Sequence, residues 1–344
     1  MQYQSQFSKL AEIAYRKKIA SQHLGKKIEY ENEPTAAEFK KILSLKLKDT
    51  QKKFKDLQKK GLVKSLFLEI GAEYSLRSSL LASKFNVQGI SCDISLYSLS
   101  KSKQFAKKFG YKKTPKLICA DAYSLPFKSN SFPFVFVYET LHHFPDPSPA
   151  LAEIKRVMTP GGACFIGSEP VKQGFQLKLW RRPNKLRLWE KFLKLTLILP
   201  YISYIGKTEV EHGILEETFP LKTWRKALKI FEDVDATVKP YPIGPKSSNL
   251  LNLSFATRVL LHIGGGAIEA ICKKNTGTKK GVIGNANHLL ICPNCLKKKS
   301  GEIPLTNLSC KNCKTSYKTK LGIPILIDTQ TAKNIFFEST EKDP

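Results

Sequence analysis

Residues 66–82 read LFLEIGAEYSLRSSLLA, and the fold turns on how that stretch is parsed. An apolar run with one acidic residue, Glu69, ends at Gly71, and from Leu76 onward the apolar spacing is helical. Strand, glycine turn and helix in that order begin a βαβ unit, and such a turn is where an open α/β sheet meets a nucleoside-type cofactor. Glycine serves there because the backbone can need positive φ and because no side chain then stands between chain and ligand. After Gly71 the loop continues with Ala72, Glu73, Tyr74 and Ser75, where a second and third glycine are expected. If Glu73 and Ser75 must adopt positive φ, each costs about 1–3 kcal/mol. Glu73 also adds a negative charge that either opposes a cofactor carboxylate or points outward.

Downstream, VQGISCDIS (87–95) reads as a second strand ending at Asp93, about twenty residues past Gly71, where a carboxylate can accept hydrogen bonds from ribose hydroxyls. PKLICADAYSLPF (115–127) is a third strand ending at Asp121. FPFVFVYETLHHFPDP (132–147) is a fourth strand running into a loop. ALAEIKRVMTPGGACFIGSEP (150–170) then supplies a helix, a two-glycine turn and a fifth strand. Strands alternating with helical patterns predict a parallel sheet covered on both faces, with all these loops at its carboxyl edge.

The succession LEIGA (68–72), CDIS (92–95), ADAYSLPF (120–127), LHHFPDP (141–147) and EIKRVMTPGG (153–162) resembles the type 11 group of class I S-adenosylmethionine-dependent methyltransferases, over Ser65–Pro170. A dinucleotide-binding dehydrogenase is the competing reading of a strand, a glycine loop and an acidic residue, but no G-x-G-x-x-G occurs and the LPF and TPGG pieces have no role in it. The resemblance implies a Rossmann-like doubly wound sheet; with the amphipathic N-terminal stretch and the C-terminal cysteine pairs, the expected fold is an α/β chain with an N-terminal helical extension and a small C-terminal zinc ribbon. The resemblance also implies that Glu69, Gly71 and Ala72 open the cofactor loop, that Asp93 holds the ribose hydroxyls, that Asp121 and Ala122 lie at the adenine, and that Tyr138 and Glu139 line the pocket near the sulfonium. Asp93 and Asp121 as plain strand-end or capping residues remain open.

Methyl transfer from a sulfonium asks mainly for alignment in a desolvated pocket, and a hydroxyl acceptor adds the need for a base. His142 and His143 follow the fourth strand and are the candidates. In an extended segment adjacent side chains point opposite ways, so only one of them is expected to face the pocket. His212, in EVEHGILEETFPLKTWRKAL (209–228), is a third candidate base, and Glu216 and Glu217 accompany it in the position of a substrate lid. FQLKLWRRPNKLRLWEKF (175–192) gathers Arg181, Arg182, Arg187, Trp180 and Trp189, which read either as a stacking and phosphate-binding surface or as packing residues.

The chain has eight cysteines. Cys92, Cys119, Cys164 and Cys272 are isolated, and the first three sit in apolar runs as small core residues. Cys292 with Cys295, and Cys310 with Cys313, form two C-x-x-C pairs separated by a hairpin's length of chain. Two such pairs supply the four thiolates of a structural zinc ion and leave no coordination position open for chemistry. Disulfides do not suit a chain without a secretory signal, and a redox C-x-x-C does not come as two pairs outside a βαβ pattern. HLLICPNC (288–295) through LSCKNCKTSYKTKLGIPILID (308–328) resembles the small zinc-ribbon activator subunit of tRNA methyltransferases.

Composition bounds the rest. With 344 residues, 42% of them hydrophobic, the chain can bury a sizeable core and is long enough for more than one domain. The expected organisation is a helical extension over 1–64, a methyltransferase domain over 65–272 with a substrate-lid insertion at about 171–235, a linker over 273–287, the ribbon over 288–330 and a tail over 331–344. In the extension Thr35 and Glu38 form a capping box, and Phe39, Ile42, Leu43 and Leu47 recur at helical spacing. The stretch from Leu250 to Ile271 reads as an apolar helix covering a sheet, a partner or a membrane surface. It is interrupted by Arg258, His262 and Glu269, and LTLILPYISYI (195–205) is short and carries Pro200, so no transmembrane segment is expected and the protein reads as cytoplasmic. The formal charge of +28 suits a polyanion such as RNA or an anionic membrane surface, or simply a lysine-rich exterior. Three functions follow: a methyltransferase acting on a small-molecule or carbohydrate-type (glycan) hydroxyl, an RNA methyltransferase, or a non-catalytic scaffold whose cofactor loop has degenerated.

Overall fold

In the computed structural model of the protein, which describes residues 2–28, 30, 33–172, 179–180, 188–196, 203–204, 218–241, 248–275 and 286–336, side-chain alternation fixes the layers. In β4 (Phe132–Tyr138), Phe134 and Phe136 face one side and Val135 and Val137 the other. Neighbouring β1 (Phe67–Ile70) follows suit, with Phe67 on the phenylalanine face and Leu68 and Ile70 opposite. Both faces are therefore apolar, as in a parallel sheet buried between two helical layers.

The remaining strands of this sheet are β2 (Gly89–Asp93), β3 (Lys116–Ala120), β5 (Met158–Val171), β6 (Asp233–Pro240), β7 (Ser248–Asn249), β8 (Gly266–Lys274), β9 (Thr319–Lys320) and β10 (Ile323–Leu326). Their order is β9-β10-β3-β2-β1-β4-β5-β8-β6-β7. From β10 to β5 every pair is parallel, and β8 runs antiparallel to both β5 and β6. The order reverses between β1 and β4, which is the switch point where such sheets bind ligands at their carboxyl ends. This is the expected Rossmann-like doubly wound fold.

Among the described residues the helices are α1 (Gln2–His23), α2 (Ala36–Lys59), α3 (Leu76–Lys84), α4 (Leu96–Ser100), α5 (Ser102–Lys108), α6 (Ser148–Val157), α7 (Leu188–Leu195), α8 (Leu221–Leu228), α9 (Phe255–Gly264), α10 (Pro293–Lys297) and α11 (Thr329–Phe336). The phenylalanine face packs under α2, α3 and α5, with Phe54 of α2 set edge-on against Phe136, ring centroids 5.2 Å apart. The valine face packs under α6 and α8 through Leu151, Ile154 and the buried Trp224. Thr35 and Glu38 do form a capping box at the start of α2: the Thr35 N–H donates to the Glu38 carboxylate at 2.9 Å, and Thr35 Oγ1 accepts from the Glu38 N–H at 3.4 Å. Ile42, expected on the buried stripe, is instead exposed, and the stripe continues through Leu47, Phe54 and Leu57.

Two expectations need correction. Leu250–Ile271 is not one helix. α9 ends at Gly264, Gly265 takes a φ of +66°, and the chain re-enters the sheet as β8. A side chain at Gly266 would sit 2.4 Å from the Lys239 carbonyl oxygen of the neighbouring strand, so the glycine run permits both the reversal and the close approach. The TPGG stretch does not separate helix from strand either: β5 begins at Met158 and absorbs the extra residues as an irregularity opposite Phe132–Phe134, with Gly161 at φ +71°.

The cysteine-bearing segment joins the main sheet. β10 pairs in parallel with β3, Ile325 opposite Cys119 and Leu326 opposite Ala120. Leu290 bridges Phe127, and Glu302 accepts hydrogen bonds from the Ser129 N–H at 2.9 Å and Arg156 Nη1 at 2.8 Å. About half of the stretch expected to form a lid, including Arg181, Arg182, Arg187, His212, Glu216 and Glu217, lies outside the described residues, as does much of the expected linker. Trp189 on α7 is exposed. Among the described residues no helix is long and apolar enough to cross a membrane.

Candidate functional site

At the carboxyl end of β1 the chain turns through Gly71, Glu73 and Ser75 with φ of +68°, +47° and +55°. The left-handed conformation that glycine favours is thus present at every second residue, although two of the three positions carry side chains. Each non-glycine residue held there costs about 1–2 kcal/mol. Local bonds offset that cost. The Glu73 N–H donates to Asp93 Oδ2 at 2.7 Å, the Glu73 carboxylate meets Arg16 at 3.2 Å, and the Ser75 hydroxyl lies 2.7 Å from that of Ser91. Gly71 itself admits no substitute: a Cβ there would lie 2.2 Å from Thr140 Cγ2. Tyr74 turns inward, its ring stacked on Phe105 at 4.0 Å and its hydroxyl 3.1 Å from His23 Nδ1, so it does not fill the sheet edge.

Asp93 and Asp121 close the adjacent strands β2 and β3. Asp93 accepts the Glu73 N–H on one oxygen and the Ser95 N–H, at 2.8 Å, on the other. Burial pushes its pKa up to about 6, against the pull of those two N–H groups. Asp121 accepts the Tyr123 N–H at 3.0 Å and pairs with Lys9, with Ala122 half-buried beside it. Glu69 lies beneath the loop rather than at the open edge: it is buried and accepts a hydrogen bond from the Ser91 hydroxyl at 3.2 Å.

Burial raises the Glu69 pKa from 4.5 to about 7, with Ser78, Arg77 and Ser91 working the other way. A carboxyl whose pKa is higher in the folded chain contributes stability that is complete below about 4.5 and is lost as pH rises through about 7. Glu69→Gln, which mimics the protonated form, is therefore expected to match the wild type in denaturant midpoint near pH 4 and to exceed it increasingly up to and above pH 7. A difference that stays constant across that range would show that Glu69 does not titrate there.

At the end of β4, Tyr138 stands with its ring 4.0 Å from the Arg77 guanidinium carbon and its hydroxyl 3.3 Å from Lys53 and 3.0 Å from Ser168. Lys53 in turn pairs with Glu269 of β8. Glu139, at φ +49°, is held by Lys46 at 2.8 Å and Arg77 at 2.9 Å; burial opposes its charge, but these two cations keep its pKa below the usual carboxylate value. His142 and His143 both reach the same side, their ring centroids 4.2 Å apart. The expectation that adjacent residues diverge fails because Leu141–His143 forms a 3-10 turn rather than an extended segment.

Two groups of residues at this edge were not read from the sequence. Glu169, fully buried in β5, accepts the N–H groups of Thr140, Leu141 and His142 at 2.8, 3.0 and 3.1 Å and meets His142 Nδ1 at 2.9 Å. Three backbone donors and the His142 ring converging on one carboxyl group make it the acceptor that shapes the loop. Lys9, Glu12 and Arg16, one face of α1, lie over the edge: Lys9 on Asp121, Arg16 on Glu12 and Glu73. Burial opposes the charge of Glu12, but Arg16 and the neighbouring His143 hold its pKa low.

The second site is the cysteine cluster. The four Sγ atoms of Cys292, Cys295, Cys310 and Cys313 lie within 4.8 Å of one another, with Cys292–Cys313 at 3.5 Å and Cys295–Cys310 at 3.6 Å. These separations are far longer than a disulfide's and close to the ~3.8 Å edge of a tetrahedron with ~2.3 Å zinc–sulfur bonds. Asn312 Nδ2 donates to Cys295 Sγ at 3.4 Å, and the Tyr317 hydroxyl lies 3.1 Å from Cys292 Sγ, the kind of outer contact that orients ligands. The donor set and its size fit a four-thiolate metal site.

Residues 68–166 match a family model described as a methyltransferase domain. Over 141 residues the chain is 30% identical to the demethylmenaquinone methyltransferase of Geobacillus kaustophilus (strain HTA426), covering 39% of this chain and 56% of that protein. Over 73 residues it is 36% identical to the cycloartenol-C-24-methyltransferase of Arabidopsis thaliana, covering 21% of each. The chain spans about half the length, or less, of these curated relatives. Among solved structures, one named as a sarcosine dimethylglycine methyltransferase of Galdieria sulphuraria superposes with a TM-score of 0.46 at 14% identity, over 76% of this chain and 99% of that one.

Proposed function

We propose that this chain is an S-adenosylmethionine-dependent methyltransferase acting on a small-molecule acceptor, with a structural zinc ion in its cysteine cluster. One observation carries the reading. Gly71, Asp93 and Asp121 end three adjacent parallel strands at one carboxyl edge, beside a loop that keeps left-handed backbone at residues 71, 73 and 75. The match of residues 68–166 to a methyltransferase domain supports it, and the relatives' names, with demethylmenaquinone and cycloartenol in them, favour a small acceptor over RNA.

The cofactor supplies an activated methyl group on a positively charged sulfur. Asp93 would accept its ribose hydroxyls, and Asp121 with Ala122 would lie at the adenine once Lys9 yields its place. Glu12 and Glu73, both held by Arg16, stand at the edge that would receive the cation. For a hydroxyl acceptor, His142 is the base: with Nδ1 hydrogen-bonded to Glu169, Nε2 is the nitrogen that takes the proton. His143 is the second candidate at the same rim, and Tyr138 and Glu139 would line the acceptor side. The chain divides in this reading into a helical extension over 1–64, a methyltransferase domain over 65–272 and a ribbon over 288–330.

Calorimetric titration with the cofactor tests it directly. The wild type should bind, and Asp93→Asn should bind about 10–100-fold more weakly, the effect of losing a hydrogen bond to a charged group. Folded, zinc-loaded wild type that gives no heat and no protection by the cofactor against thermal unfolding would leave only the scaffold reading.

A further inference from the structure

α9 buries Thr257 and Leu261 against the sheet and presents Phe255, Val259 and Ile263 outward. These three follow one another at intervals of four, so they form a single stripe along the helix. The stripe is open, with Phe255 82% and Ile263 49% exposed, and Leu251 continues it beyond the N-cap residue Ser254. α7 repeats the pattern independently: Leu188, Phe192 and Leu195 are all exposed, Leu188 by 84%. Two helices in separate parts of the chain thus spend large apolar side chains on solvent, which soluble surfaces rarely do.

The charge around α9 says what covers it. Arg258 and His262 stand exposed on the helix, Lys239 is exposed on the strand beneath it, and α9 has no acidic residue. An apolar stripe flanked by arginine and lysine, here Arg258 and Lys239, is the pattern of a helix lying in the headgroup region of an anionic bilayer, where each nearby Lys or Arg adds to the attraction. A second copy of this chain is a poorer occupant, because two chains of formal charge +28 would have to approach without acidic side chains on α9 to offset them. RNA gains nothing from a phenylalanine and isoleucine stripe.

We infer that α9 docks the protein on an anionic membrane surface. Its place suits a catalytic use. α9 ends at Gly264, five residues before Glu269, which pairs with Lys53 beside Tyr138, and the Gly265 carbonyl accepts the N–H of Tyr241 at 3.1 Å. The docking helix therefore leads into the acceptor side of the candidate site, a distance of roughly 17 Å of extended chain. An acceptor dissolved in the bilayer would enter there; that consequence, unlike the docking, rests on the methyltransferase reading.

Cosedimentation with vesicles tests the docking, using phosphatidylcholine alone and an equimolar mixture with phosphatidylglycerol. The wild type should pellet with the mixed vesicles and stay in solution with the neutral ones. Phe255→Ser combined with Ile263→Ser should weaken binding to mixed vesicles by about tenfold or more, with an unchanged circular dichroism spectrum. Undiminished binding of that variant, with binding of both proteins lost in high salt, would mean adsorption by charge alone and would overturn the proposal. So would a self-associating wild type that the variant renders monomeric, or folded wild type that ignores mixed vesicles. Cofactor titration of the same samples separates the two readings: cofactor binding without vesicle binding overturns the docking only, and the reverse overturns the enzyme only.

Discussion

Glu169→Ala is expected to lower the unfolding free energy by about 3–5 kcal/mol, because several buried donors lose their shared acceptor at about 1–3 kcal/mol each. The side chain is fully buried, and it is the acceptor for three successive backbone N–H groups and for the His142 ring. A buried donor left without a partner costs about 1–3 kcal/mol, so several at once exceed what relaxation of one loop recovers. The effect should spread to the cofactor edge, because Thr140, whose N–H Glu169 holds, packs against Gly71 closely enough to exclude any side chain there. Glu169→Gln separates acceptor capacity from shape. Its amide nitrogen would bring a donor to face donors, so it should lose about half as much stability as alanine and weaken cofactor binding as well. Urea unfolding of the three proteins, read with calorimetric titration, checks both parts. A loss below about 1 kcal/mol for Glu169→Ala would mean that the 140–142 loop finds other acceptors.

The contrast between what the sequence disclosed and what it hid follows contact range. Asp93 and Asp121 were legible because each ends an apolar strand run, and parallel strands deliver their carboxyl ends to one edge whatever lies between them. The two cysteine pairs were legible because ligand chemistry fixes their spacing. Glu169 was not, since its partners come from residues 140–142, across the junction of β4 and β5. A signal was present: an acidic residue within a run of buried strand residues needs a partner, and FIGSEP offers none locally. The approach of α1 had no such signal, because Lys9 and Asp121 stand 112 positions apart and nothing in an amphipathic helix says which surface it will meet. The break within Leu250–Ile271 was written in Gly264, Gly265 and Gly266 and was outweighed by apolar composition.

The loop at Gly71 carries the wider point. Its replaced glycines suggested a relic, yet Glu73 and Ser75 keep the left-handed backbone that glycine would have adopted without strain. The side chains contribute bonds that glycine cannot, Glu73 to Arg16 of α1 and Ser75 to Ser91 of β2. Backbone conformation, not residue identity, is what a ligand meets at such a turn. The altered spelling thus exchanges conformational ease for attachment of α1 over the sheet edge.

Removing metal from the cysteine cluster is expected to lower the melting temperature by about 10 °C or more, because metal binding free energy in such small modules is folding free energy. The reason lies in what the module holds. β10 is the parallel neighbour of β3, the Ile291 N–H donates to the Pro126 carbonyl at 3.0 Å, and Glu302 holds Arg156 of α6. If the four thiols lose their shared ion, these attachments loosen together, β3 becomes an open sheet edge, and aggregation on heating should follow. Cys310→Ser should reproduce the effect, losing zinc by elemental analysis and thermal stability in parallel, while Cys164→Ser, altering a cysteine buried in β5 away from the cluster, should keep its zinc. Well below the melting temperature cofactor affinity should change little, since four protein ligands leave the ion no position for chemistry. A Cys310→Ser protein that loses zinc yet keeps its melting temperature would show that the sheet edge is held by the strand pairing and the Glu302–Arg156 bridge alone.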